Sequence, residues 1–288
     1  MIPFDVEYLR PTTLRDAAAA YRQAREAGRA VRYYGGGTEL VTGARDGTIS
    51  YDVLIDLKRI PDVAAFDPAA GLFGAGLRLS ALADQSDFPL LAAAARGVAD
   101  RTARNSITLG GNLCSMLPYR ETALPLLLFD AELTLFGPDG ERTARIGDVW
   151  NKRLRLSEGE FVVSVALPDA AREPGYYRRR TRDGRIDYPL VTLCAARGET
   201  VRFAVGGAFG YPVRSRDAEA ALGDALRALP ATAASSGDGA DAPERAEAAA
   251  AIDLIPDRVW SDFRSSPEYR RALLIESLAD ALVHLEVP

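Results

Sequence analysis

Histidine is almost absent: His284 is the only one in 288 residues, and it sits near the C-terminal end of a helical stretch. A nucleophile–His–acid hydrolase is thereby excluded, because no imidazole is left to act as base beside a Ser or Cys. His284 itself is expected to be exposed. Cysteine is scarce too, and Cys114 and Cys194 cannot supply the four thiolates of an iron–sulfur cluster or a structural zinc site. No other metal-ligand cluster is visible. Two thiols suit a reducing compartment, so the cytoplasm is the expected location, and Cys114 is expected to behave as a small buried hydrophobe. No apolar run approaches the ~18 residues of a membrane span, and no secretory leader is evident. A net charge of −5 lacks the basic footprint of a nucleic-acid binder. The glycine loops match neither G-x-G-x-x-G nor G-x-x-x-x-G-K-[ST], which removes the Rossmann and P-loop readings.

What is present is an ordinary globular composition, 48% hydrophobic and 26% charged, long enough for one large domain or two to three smaller ones. Within it stand two glycine loops. In the first, the aromatic and β-branched run Val31–Tyr34 reads as a strand that enters Gly35-Gly36-Gly37-Thr38-Glu39, with Leu40-Val41 opening a helical turn. The second is Asn105-Ser106-Ile107-Thr108-Leu109-Gly110-Gly111-Asn112-Leu113. Adjacent glycines can take φ > 0 and turn successive N–H groups toward an anion, and Thr108 and Asn112 add side-chain donors. Either loop alone fits an ordinary turn. Together they fit one diphosphate gripped from two sides, so Gly36 and Gly111 are expected to refuse a side chain.

Three ordered segments carry a resemblance: residues 34–40, residues 104–113, and Pro118-x-x-Glu121-x-x-x-Pro125-x-x-x-x-Asp130-Ala131. They resemble the FAD-binding medium subunit of the xanthine dehydrogenase and carbon monoxide dehydrogenase family of molybdenum hydroxylases, and the similarity runs over nearly the whole chain. The resemblance implies an α+β fold: a two-lobed FAD-binding domain of the vanillyl-alcohol-oxidase-like type, then a C-terminal domain of a three-stranded antiparallel sheet and helices. It also implies FAD held by Tyr34, Gly35, Gly36, Gly37, Thr38, Glu39, Thr108, Gly110, Gly111 and Asn112. Electrons would arrive from [2Fe-2S] clusters on a small partner subunit, and a large molybdopterin-binding subunit would oxidise the substrate. Relatives assemble as a dimer of such heterotrimers, which implies a heterohexamer.

The same resemblance assigns four further positions. Glu121 stands where the family has an Asp that hydrogen-bonds FAD; a surface carboxylate capping the next helix is its other reading. Leu156 corresponds to a leucine packed by the flavin, although core packing is the default for such a residue. Arg179 lies eight positions before Asp187, matching a basic residue of the flavin region, whereas arginines at alternate positions of a strand usually face solvent or a partner subunit. The chain departs from the family with Asp183-Gly184 in place of further basic residues and Tyr188-Pro189 in place of Ile-Ala, and Tyr188 is expected over or beside the isoalloxazine. With no histidine near either loop, the flavin is expected to be non-covalent.

Read in order, residues 1–57 form an α/β lobe, with a helix capped by Thr13 that stops at Gly28 and a buried strand at 53–57. Residues 58–170 form a second α+β lobe. In it, Ser80 is expected to cap a short helix at 81–84, the small residues 73–76 suggest close backbone contact, and Pro138-Asp139-Gly140 makes a hairpin turn. Residues 171–288 carry three strands broken by turns at Asp183-Gly184 and Arg197-Gly198-Glu199, then helices at 217–229 and 269–285, with an Ala/Ser/Gly/Asp-rich connection at 231–243. The alternative to an electron-transfer subunit is a stand-alone flavin oxidoreductase, whose acid or base would come from Tyr188, Arg179 or Glu121.

Overall fold

The computed structural model describes residues 2–184, 186–228 and 243–285. It divides into two compact units, Met1–Leu117 with Phe129–Arg172, and Pro118–Leu128 with Glu173–Pro288.

The first unit begins with a three-stranded parallel sheet. Val53–Asp56 lies in the middle, flanked by Glu7–Leu9 and Val31–Tyr34. Every residue of the central strand is buried, as the apolar run Val-Leu-Ile requires. Parallel neighbours need crossovers, and the helices Leu14–Glu26 and Thr38–Arg45 lie in those connections. Thr13 caps the first helix by accepting from the Asp16 N–H, and Gly28 beyond it has φ +72°. Parallel register sets Tyr34 opposite Asp56, so both strands end side by side at the glycine loop.

The rest of the unit is a five-stranded antiparallel sheet in the order Phe66–Asp67, Leu72–Gly74, Phe161–Ala166, Glu132–Gly137, Gly140–Arg145. The hairpin at Pro138-Asp139 forms, with Gly140 starting the return strand at φ +100°. Gly74 makes the expected close approach: a Cβ there would lie 2.3 Å from the Val63 carbonyl oxygen. Two local expectations fail. Ser80 is buried inside the helix Leu79–Asp84 and caps nothing, because the Leu79 N–H bonds the Ile107 carbonyl and the chain enters the helix after Arg78. Cys114 is exposed. It ends the short helix Leu109–Leu113, whose inward face is taken by Leu109, Asn112 and Leu113, and the 3.6-residue period leaves Cys114 outside.

The second unit is built on strands Tyr176–Thr181, Pro189–Arg197 and Val201–Gly206, antiparallel and in sequence order. Alternation sorts their side chains. Val191, Leu193 and Ala195 share one face with Phe203 and Val205, and form a core with Leu222, Leu226, Leu274, Leu278 and Leu282 of the covering helices. Tyr177, Arg179, Thr192, Cys194, Ala204 and Gly206 share the other face by register, and the apolar helix Ala123–Leu128 packs on these strands. Sequence order keeps 118–128 with residues 58–170. The six buried residues of helix Ala123–Leu128 instead find their apolar partner in the C-terminal sheet. The helix Pro243–Asp253 was not read from the sequence, and residues 231–242 of the expected connection lie outside the described residues.

Candidate functional site

The two glycine loops meet inside the first unit. A Cβ on Gly36 would lie 2.0 Å from the Ser106 carbonyl oxygen, and one on Gly35 would lie 2.7 Å from the Thr108 hydroxyl. Only a bare backbone permits such contact. Among Gly35, Gly36, Gly37, Gly110 and Gly111, Gly37 alone adopts the left-handed conformation, with φ +71° as N-cap of helix Thr38–Arg45. Gly36 and Gly111, expected to refuse a side chain for want of room or of an allowed φ, have no positive φ; at Gly36 it is crowding by the Ser106 backbone that bars a Cβ. Gly111 meets only the movable Thr108 hydroxyl, at 2.9 Å.

Each loop is pinned from behind. Thr108, buried and N-cap of Leu109–Leu113, accepts from the Gly111 N–H at 3.1 Å. The Gly110 N–H bonds the Ala75 carbonyl at 2.8 Å, which ties the second loop to the chain just after strand Leu72–Gly74. Arg104 gathers the carbonyls of Arg96, Val98 and Ala99 at 3.2, 2.9 and 2.7 Å, fixing the helical ends that lead into the loop. Glu39 clasps the two loops together, accepting from the Ser115 hydroxyl and, at 2.8 Å, from the Met116 N–H. Its carboxylate therefore acts on the protein. Asn112 is buried beside them.

Sequence reasoning missed Lys58. Its Nζ donates to the Gly35 carbonyl and to Asp56 Oδ1, both at 2.7 Å, and stands 4.3 Å from the Tyr34 ring centroid. Asp56 also accepts from the Tyr8 hydroxyl. Burial pushes the Asp56 carboxyl upward, but the hydrogen bonds from Lys58 and Tyr8 prevail and hold it below its usual range. The parallel pairing of Val53–Asp56 with Val31–Tyr34 was the available signal, since it delivers Asp56-Leu57-Lys58 to the glycine loop. Leu156, half-buried, precedes a turn tied to the same strand by the Tyr33 hydroxyl, which donates to the Gly159 carbonyl at 2.8 Å.

Glu121, Arg179 and Tyr188 lie in the second unit. Glu121 is 5% exposed, which overturns the surface-cap reading. Burial raises its carboxyl above the usual value, against the opposing pull of its own N–H and of Arg179. Near it, burial also raises Tyr177, whose hydroxyl has no hydrogen-bond partner among the described residues. Arg179 donates to the Asp187 carbonyl, so the eight-residue spacing closes on the backbone and not on the carboxylate. Tyr188, 50% exposed, stacks on Tyr119 with centroids 4.6 Å apart and planes at 14°. Arg264 braces this pair, donating to the Tyr119 hydroxyl and, at 3.1 Å, to the Tyr188 carbonyl. His284 is exposed on the last helix.

A raised carboxyl has a signed consequence. The folded chain holds the Glu121 proton more tightly than the unfolded chain, so this group's contribution is complete below its ordinary value of 4.5 and is lost as pH rises through the raised one. In FAD-free chain, Glu121→Gln is expected to match the parent in urea midpoint at pH 4 and to exceed it at pH 8. Equal pH profiles would show that the carboxyl is not strained by burial.

The loops and the helix N-terminus beside them suit a phosphate-bearing ligand, and the sequence match names the class. Residues 4–170 match the family described as "FAD binding domain in molybdopterin dehydrogenase", and the chain belongs to this family, the FAD-binding medium subunits of the molybdenum hydroxylases. It is the flavoprotein subunit of a xanthine dehydrogenase-family oxidoreductase. It is 27% identical to the nicotine 6-hydroxylase medium subunit of Paenarthrobacter nicotinovorans, over 96% of each chain. It is also 27% identical to the carbon monoxide dehydrogenase medium chain of Hydrogenophaga pseudoflava, over 64% of this chain and 67% of that one. A solved carbon monoxide dehydrogenase structure from the same organism superposes with a TM-score of 0.78 at 25% identity, covering 98% of both chains. FAD is the cofactor, and the loop pair suits a diphosphate: bare glycines let the two loops pack closely against each other, and the first N–H groups of helix Thr38–Arg45 have no carbonyl within the helix to bond.

Proposed function

We propose that the chain carries one non-covalent FAD and serves as the electron-transfer subunit of a multi-subunit molybdenum hydroxylase. Partners would be a small [2Fe-2S] subunit and a large molybdopterin-binding subunit, joined as a dimer of heterotrimers in the cytoplasm. The observation that carries this reading is the packed pair of glycine loops within a matched FAD-binding segment. FAD supplies reversible electron storage between the clusters and a soluble acceptor. The chain's own residues bind and shield. Gly35, Gly36, Gly37 and Thr38, with Thr108, Gly110, Gly111 and Asn112, would cradle the diphosphate; Tyr34 and Glu39 shape the loops. Leu156, Glu121, Arg179 and Tyr188 would face the flavin, where a fixed Tyr188 ring limits access by the acceptor. Non-covalent binding is favoured because His284 lies on the last helix and no other histidine exists. Two cysteines cannot supply the four thiolates of an iron–sulfur cluster, so the clusters would belong to a partner subunit.

The test compares the isolated, FAD-loaded chain with the same chain mixed with the two partner subunits. Alone, it should be reduced by dithionite but turn over no organic substrate; in the assembly, substrate should bleach the flavin. Appreciable substrate oxidation by the isolated chain would replace this reading with the stand-alone oxidoreductase.

A further inference from the structure

Lys58 lies outside the three family segments yet reaches the first glycine loop, and this placement follows from topology. Strand Val53–Asp56 runs parallel to Val31–Tyr34 with Asp56 opposite Tyr34, so the residues after both strands emerge on the same side. A single turn of 3-10 helix, Leu57–Arg59, begins with the Asp56 carboxylate accepting from the Lys58 N–H at 3.0 Å, and this directs the Lys58 side chain toward the loop. Two of the three ammonium donors are spent on the Gly35 carbonyl and on Asp56. Asp56 is almost fully buried, whereas the Lys58 side chain keeps 35% exposure.

Two consequences follow for an anion at the loop. The Gly35 carbonyl is drawn to the ammonium, which leaves the next backbone segment, Gly36 through Thr38, to present N–H groups and not an oxygen. The charge of Lys58 stands one hydrogen bond from that loop, with a third donor left over. A buried carboxylate that also bonds Tyr8 holds the ammonium in position, and the Tyr34 ring lies beneath it.

We propose that Lys58 is a diphosphate-binding residue of this chain, both fixing the first glycine loop and giving its cationic donor to the ligand's diphosphate. This rests on the FAD reading above and adds a residue to it. The probes are FAD, ADP and adenosine, titrated against FAD-free chain at low and high salt. Lys58→Met is expected to weaken FAD and ADP by the same factor, on the order of tenfold, to leave adenosine unchanged, and to flatten the salt dependence. Lys58→Arg should restore most of the loss. A purely structural role would weaken adenosine as much as ADP and leave the salt dependence intact. That result, or FAD and ADP affinities within twofold of the parent, overturns the proposal. Lys58→Gln is read by the same criteria should Lys58→Met not fold. Failure of the parent to bind FAD at all would instead overturn the functional reading.

Discussion

Gly36→Ala is expected to weaken FAD binding on the order of a hundredfold, or about 2.7 kcal/mol. The added Cβ would fall 2.0 Å from the Ser106 carbonyl oxygen and 2.8 Å from its carbon. Both are backbone atoms, so the conflict is relieved only by moving the two glycine loops apart. Overpacking of this kind costs about 1–3 kcal/mol in itself, and separation of the loops also removes the geometry that grips a diphosphate from two sides. Gly111→Ala makes the contrast, since its Cβ meets only the Thr108 hydroxyl at 2.9 Å, an atom that can rotate. The ranking Gly36 far above Gly111 is the signature. It is measured by titrating FAD into each FAD-free variant, and a Gly36→Ala chain that binds like the parent would show that the loops do not form the site.

Asp262→Ala is expected to cost about 3–5 kcal/mol of stability, the range for removing one partner of a buried ion pair. Asp262 receives Arg264 and Arg270 at 2.7 Å each, and the Arg270 side chain is wholly buried. Arg270 also donates to the Leu190 and Gly207 carbonyls at 2.7 and 3.0 Å, joining the sheet to the segment before the last helix. Without the carboxylate, two largely buried guanidiniums face each other across an uncompensated gap, and Arg264 loses the anchor from which it braces Tyr119 and Tyr188. The pH dependence has a definite sign. Burial raises the Asp262 carboxyl, but Arg264 and Arg270 outweigh it and bring it from 3.8 to about 2. A depressed carboxyl stabilises above its ordinary value and loses that contribution as pH falls through the depressed one. Parent and variant should therefore differ fully at pH 7 and converge as pH falls from about 4 toward 2. Urea unfolding at pH 7 showing a loss below about 1 kcal/mol would mean the network carries little.

The glycine loops, the three C-terminal strands and the first helix were legible because each is written locally. A Thr cap and a terminal Gly bound the helix, the turns at Asp183-Gly184 and Arg197-Gly198-Glu199 mark off the strands, and glycine runs mark the loops. What escaped is what register and topology decide. Lys58 reaches the loop through parallel pairing, the helix Ala123–Leu128 joins a sheet that begins some fifty residues later in sequence, and Cys114 turns outward because a five-residue helix ends there. Gly36 is another such case. Its φ is ordinary, and the neighbour that forbids a side chain lies seventy positions away.

The measurement closest to the central claim is the flavin content of the purified chain after acid precipitation, identified by chromatography. One FAD per chain, all of it in the supernatant, is the expected result. A colourless chain that takes up no FAD, FMN in its place, or flavin retained in the pellet would contradict the account.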